Sequence, residues 1–374
     1  MHDNTQEQFL ELVRSGLFPG KAAKILVHGT AVDWDEIYRL AEEQSVVGLV
    51  AAGMESLPSS ERPPQAVVLQ FVGRALQLEQ RNQAMNEFIA RLISDLRKSD
   101  VYTLLVKGQG IAQCYEKPLW RACGDVDLYL SRDNYVTAQK VLIPMASQID
   151  EEDTQKEHLG MTIDTWVVEL HGSLHSDFSS RVNKGLDEVH KSVFYNGDIR
   201  SWDNSGVTVF LPSANNDVII IFAHILQHFF GGGIGLRQIC DWCRLLWTYD
   251  SDLDRKLLEK RLVAMKLMSE WKAFAALAVN TLGMPEEKMP FYSPDNKWKS
   301  KAEKILSLIL ETGNFGHSRD MSYISSKPYL LRKAISLCRG TKDGWRQMMI
   351  FPMDSMRAWC AKMARGIKTT LRRK

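Results

Sequence analysis

LLVKGQGIAQCYEKPLWRACGDVDLYL, residues 104 to 130, is the stretch on which the fold turns. A short apolar run, Tyr102-Thr-Leu-Leu-Val106, leads into it and stops at Lys107-Gly108. A compact segment with helical spacing follows, and then Arg121, Gly124 and Asp125-Val126-Asp127 run into Leu128-Tyr129-Leu130. Residues alternate sides along a strand, so Asp125 and Asp127 share one face while Val126, Leu128 and Leu130 enter the core. Two carboxylates about 7 Å apart on one strand repel each other unless a cation sits between them. Hard divalent cations such as Mg2+ are held by one or two carboxylates together with phosphate oxygens.

A third acid stands in a second run, Thr165-Trp-Val-Val-Glu-Leu-His171, which is β-branched and alternating. Glu169 and His171 face one way, Val168 and Leu170 the other. If this strand pairs beside the Asp-Val-Asp strand, Glu169 completes a three-carboxylate cluster able to hold two metal ions for in-line attack on a phosphate. His171 then either tunes that site or is a satisfied histidine, and its place beside Glu169 favours the site. A bare D-x-D also reads as a strand end with solvated acids. The order K-G, R-x-x-G-D-x-D-L, V-E-L-H is far more specific.

The succession LLVKG, RACGDVDLYL, VVELHGSLH and GIGLRQICDWCRLL resembles the bacterial nucleotidyltransferase-like family labelled uncharacterised nucleotidyltransferase, a branch of the DNA polymerase β-type superfamily. The resemblance spans Val101 to Leu246. It implies an α+β, mostly helical fold in which a small mixed β-sheet core is flanked by helical regions, with Mg2+ (or Mn2+) as cofactor and an NTP as substrate. By position, Asp125 and Asp127 match the paired metal ligands, Glu169 the third acid and Gly108 the glycine turn. This chain has Lys107-Gly108-Gln109 where the wider superfamily has Gly-Ser. That departure keeps open a catalytically inactive nucleotide-binding or regulatory module beside the transferase reading.

Around the site, Lys107 ends a strand at a glycine turn, where its ammonium can reach a phosphate or snorkel to solvent; the first is favoured. Arg121, four residues before Asp125, either clamps the triphosphate or pairs with Asp125. Gly124 belongs to the same matched motif. Arg237 and Asp241 line the cleft or pair with each other across one helical turn. The run Gly231 to Gly235 lacks the Gly-Lys-Ser/Thr ending of a phosphate loop and follows a helix, so it reads as a turn. His224, His228, Cys240 and Cys243 mimic a Cys2His2 zinc set, but C-x-x-C inside an amphipathic helix favours core cysteines.

The remaining chain supplies bounds. Its 374 residues are 45% hydrophobic and 25% charged, an ordinary globular composition. The six cysteines with no secretory signal suggest reduced thiols and a cytoplasmic protein. No window is long and apolar enough for a transmembrane helix. The expected organisation is an N-terminal helical region (1–100), the α/β core (101–212), a second helical region (213–331) and a basic amphipathic tail (332–374). The tail carries twelve Lys/Arg against two Asp, within a chain of net charge +2, so the body is mildly acidic. Trp345, Ile350, Phe351 and Trp359 interleave with these charges. They suit peripheral contact with an anionic membrane or nucleic acid, or packing on the body. The acceptor of any transfer is left unidentified.

Overall fold

The computed structural model describes residues 2–18, 20, 23–25, 32–176, 178–231, 233–314 and 329–360. The helices before the sheet are α1 (His2–Leu17), α2 (Trp34–Glu43), α3 (Val47–Glu55) and the long α4 (Gln65–Arg97). Asp33 caps α2 by accepting from the Glu36 amide at 3.0 Å. The strands are β1 (Leu104–Val106), β2 (Asp125–Tyr129), β3 (Ala146–Ile149), β4 (His158–Ile163), β5 (Trp166–His171), β6 (Ile199–Asn204) and β7 (Val207–Pro212). They form one mixed sheet in the order β3-β4-β5-β2-β1-β7-β6. The β2–β5 and β1–β7 pairs are parallel and the others antiparallel. The expected mostly helical α+β class with a mixed sheet is what the chain adopts.

Short helices connect the strands: α5 (Gly108–Ala112), α6 (Arg132–Leu142) and α7 (Ser180–Phe194). After the sheet come α8 (Ala214–Gly231), α9 (Leu236–Thr248), α10 (Arg255–Met265), α11 (Met268–Asn280), α12 (Asn296–Thr312) and α13 (Tyr329–Met348), then a helical stretch over 352–360. Ser131 caps α6, and Pro144 stops it in a 3-10 turn at Ile143–Met145. Before α8, the Ser213 backbone carbonyl accepts from the Asn216 and Asp217 amides, while its hydroxyl has no partner.

The sheet has two different faces. Val126, Leu128, Val168, Leu170 and Val209 pack with Met85, Phe88, Leu92 and Leu96 of α4 and with Tyr135, Ala138 and Leu142 of α6. Slipping β2 by one residue would bury Asp125 and Asp127 in this layer and expose Val126 and Leu128, so alternation fixes the register. On the opposite face, Leu104, Val106 and Tyr129 join a larger core built with α7, α8 and α9. That face also carries the acids.

Two strands escaped the sequence pattern. β3 (ASQI) is an edge strand exposed along most of its length, and β6 (IRSWDN) is an edge strand that alternates exposed and half-buried residues; ladder pairing with β4 and β7 holds them. Their inward positions are few and largely polar, so they show no apolar alternation. At the C-terminus, Ile350 and Phe351 are buried, Phe351 stacking on Phe274 and meeting Phe229 and Phe230 edge-on, whereas Trp345 is exposed. The last stretch of the basic tail, 361–374, lies outside the described residues. No helix among the described residues is long and apolar enough to cross a membrane.

Candidate functional site

The pairing of β2 with β5 sets Asp127 beside Glu169, and that of β1 with β2 sets Val106 beside Asp127. Three acids, two on β2 and one on β5, therefore open into one cleft together with Lys107 and His171. The cleft has a volume of about 420 Å3 and is roofed by α8 and the start of α9, through His224, Gln227, His228 and Arg237.

Lys107 is placed by strained backbone. It ends β1 at φ +58°, ψ −143°, a conformation that costs a residue with a side chain roughly 1–3 kcal/mol. Gly108 follows at φ +39°. This sharp turn aims the ammonium at Asp127, where Nζ lies 2.6 Å from Oδ1. The same oxygen is 2.9 Å from His171 Nε2. Glu169 Oε2 in turn lies 3.5 Å from His171 Nε2 and 3.3 Å from Nε2 of His158, which comes from β4.

The electrostatics follow from this clustering. Burial would raise the Asp127 carboxyl, but Lys107 and the His171 bond outweigh it and hold the group below its ordinary value. The His158 and His171 bonds hold Glu169 far below the carboxylate range, against the effect of burial. Asp125 behaves oppositely: burial and the neighbouring Asp127 charge push it up, only partly offset by Lys107. Burial would depress Lys107 and His171, yet the acids raise both. Across the cleft, burial pushes His224 well down and His228 down to about 4, with Lys107 adding to both, so the roof imidazoles are neutral at pH 7.

Of the residues singled out in the sequence, Lys107, Gly108, Arg121, Asp125, Asp127, Glu169, His171 and Arg237 all line the cleft. Gly124 does not; it lies in the loop leading into β2, and a methyl group there would meet nothing within 4 Å. Arg121 is not paired with Asp125. It forms a buried bidentate bridge to Asp241, with Nε–Oδ1 at 2.8 Å and Nη2–Oδ2 at 2.7 Å, and Tyr115 donates its hydroxyl to the same carboxylate at 2.7 Å. Asp241 is thus taken by Arg121, and Arg237 donates to the Ala122 carbonyl at 2.7 Å. A clamp on phosphate is the wrong role for a guanidinium already satisfied on both edges.

The Cys2His2 mimic does not assemble. Cys240 and Cys243 are buried in α9, where burial pushes both thiols up. Among the described residues, the one His/Cys/Asp/Glu group with ligand-like spacing is His158, Glu169 and His171. His158 is the functional candidate that sequence reading overlooked. The two-residue turn between Ile163 and Trp166 was the available signal, because it fixes the hairpin register that sets His158 opposite His171.

The family model described as an uncharacterised nucleotidyltransferase matches residues 30–283. The chain belongs to that family. Membership supports a general role in nucleotidyl transfer, and the matched range contains the whole sheet and every acid of the cleft. No curated protein and no solved structure matches the chain.

Proposed function

We propose that the chain transfers a nucleoside monophosphate from an NTP to a hydroxyl-bearing acceptor in this cleft. The observation that carries the proposal is the convergence of Asp125, Asp127 and Glu169 from adjacent parallel strands on one cavity with a buried cationic lysine. The donor set is oxygen-rich and anionic, which fits Mg2+ (or Mn2+) held by Asp125 and Asp127 with Glu169 nearby. An ion held there would supply Lewis-acid neutralisation of the charge that builds on the triphosphate during displacement. The acceptor oxygen forms a bond to the α-phosphorus, the bond to the β-phosphate oxygen breaks, pyrophosphate leaves, and the hydroxyl proton passes to solvent.

Within that scheme, Lys107 moves from Asp127 to the departing phosphates and stabilises them. Glu169, held anionic by two imidazoles, is a poor proton acceptor and serves as a fixed negative charge. Arg121 supports the cleft wall through Asp241 and Tyr115. The test is incubation with each labelled NTP in native lysate, reading label transfer and pyrophosphate release. Transfer that disappears in the Asp125→Asn/Asp127→Asn variant supports the assignment; undiminished transfer by that variant sinks it.

One observation favours a second reading, a nucleotide-binding module without turnover. A single oxygen of Asp127 is already engaged by Lys107 and His171, which a metal must displace. NTP-dependent thermal stabilisation without pyrophosphate release would select it.

A further inference from the structure

We infer that His158, Glu169 and His171 form a second metal site, selective for an imidazole-seeking divalent ion such as Zn2+ or Co2+ over Mg2+. The site shares Glu169 with the transfer reading but goes beyond it, since it holds its ion whether or not the chain transfers nucleotide.

The pairing of β4 with β5 builds the trio. His158 stands directly opposite His171, and Glu169 lies two residues before His171 on the same face. Opposite Glu169 the strand carries Gly160, so no side chain rises from β4 between the two histidines and the acid. The carboxylate of Asp150 occupies the space where a Cβ at Gly160 would sit, so a side chain at that position would collide with it.

The distances also suit a shared ion. His171 Nε2 meets Asp127 Oδ1 at 2.9 Å, the length of a charge-assisted hydrogen bond, about 2.7–2.9 Å. The two contacts to Glu169 Oε2 are longer, 3.3 and 3.5 Å, and both use Nε2. Ligands about 2.0–2.2 Å from one ion lie roughly 3.0–3.5 Å from each other in tetrahedral or octahedral geometry. The Glu169 contacts have that second spacing. All three ligand atoms fall within 4.8 Å of one another, and the His158 side chain is 36% exposed at the edge of the cleft.

The donor set decides the ion. Imidazole nitrogen suits Zn2+, Co2+ and Ni2+, whereas Mg2+ takes oxygen and keeps its waters. Two histidines and one glutamate make the His2Glu set of zinc sites with an open position, and here that position faces the cleft. On loading, Nε2 of His171 exchanges its proton for the ion, since metal ligands bind deprotonated.

The experiment uses the full chain without a polyhistidine tag, stripped of metal and titrated with Co2+ by calorimetry and visible absorption. The expected result is a saturable site whose d–d band intensifies, is erased by Zn2+ and is untouched by equal Mg2+, apart from any Co2+ that Mg2+ displaces from Asp125 and Asp127. His158→Ala is tested first because it leaves the Asp127–His171 bond in place, and His158→Gln serves if the alanine variant melts early. Either weakens Co2+ binding by about tenfold or more, while Asp125→Asn leaves it intact. Failure to take up Co2+ overturns the site. So does unchanged uptake by His158→Ala/His171→Ala, which would place the ion elsewhere, for example on His224 and His228. Co2+ uptake in a chain that transfers no nucleotide upholds this site and rejects only the transfer reading.

Discussion

Two buried ionic clusters lie within one cleft wall, and they are built on opposite principles. Around Asp241 each carboxylate oxygen has a direct partner: Tyr115 and Arg121 Nε on Oδ1, Arg121 Nη2 on Oδ2. Around Asp127 one oxygen takes both Lys107 and His171, a third carboxylate is crowded in, and the lysine sits in strained backbone. A closed cluster is a structural joint, here tying the loop before β2 to α9. An open one keeps charge in reserve for something that enters, and strain held beside it marks a site that packing elsewhere must maintain.

The comparison breaks first if the closed cluster proves dispensable. Asp241→Ala leaves the Arg121 guanidinium buried without its partner, and the expected cost is about 3–5 kcal/mol in urea unfolding. Replacing both partners, Arg121→Met with Asp241→Leu, is expected to cost less than the single change, because no uncompensated charge remains. Equal losses in the two proteins would mean that the bridge does more than satisfy itself.

A third buried acid sharpens the contrast. Glu270 is buried beside Asp354, which is itself engaged by Arg181 at 3.0 Å and Arg357 at 3.2 Å. Burial, then Asp354, pushes Glu270 up to about 8. The folded protein therefore keeps this proton over a range in which the unfolded chain has released it. Stability from this group is complete below the ordinary glutamate value and is lost as pH rises from about 5 to 8, with a slope of at most about 1.4 kcal/mol per pH unit. Melting curves across that range check it, and Glu270→Gln is expected to flatten the slope.

Lys107 tests the open cluster directly. Lys107→Met removes the cation and is expected to slow transfer by about a hundredfold. Lys107→Gly removes the same charge but relieves the positive φ, so it is expected to unfold at higher denaturant than the methionine variant, by about 1 kcal/mol. A glycine variant less stable than the methionine one would show that the turn is not strained.

The sequence made the open cluster far more legible than the closed one. Asp125, Asp127 and Glu169 follow from period-two alternation, which needs only a few neighbouring residues and the assumption that two strands pair. The Arg121–Asp241 bridge joins residues 120 positions apart, and nothing local in RACGD reports a partner on α9. His158 was hidden for an intermediate reason. Its meeting with Glu169 depends on hairpin register, which the turn at Asp164 and Thr165 sets. The edge strands β3 and β6 were lost because ladder bonds, not burial, hold them.

The smallest effect discriminates most finely. Asp125 is the one acid of the open cluster whose anion the fold disfavours, through burial and repulsion from Asp127. Asp125→Asn keeps the shape and removes that repulsion, so at pH 7 it is expected to stabilise the fold slightly, by about 0.5 kcal/mol. The same change is expected to abolish transfer. Stability gained where function is lost is the mark of a group kept at a cost for an incoming cation. The gain should fade as pH falls and Asp125 itself takes a proton, because the native residue then becomes as neutral as its replacement. A destabilised Asp125→Asn protein at pH 7 would instead make Asp125 a structural partner like Asp241, and the distinction between the two clusters would fail at its most exposed point.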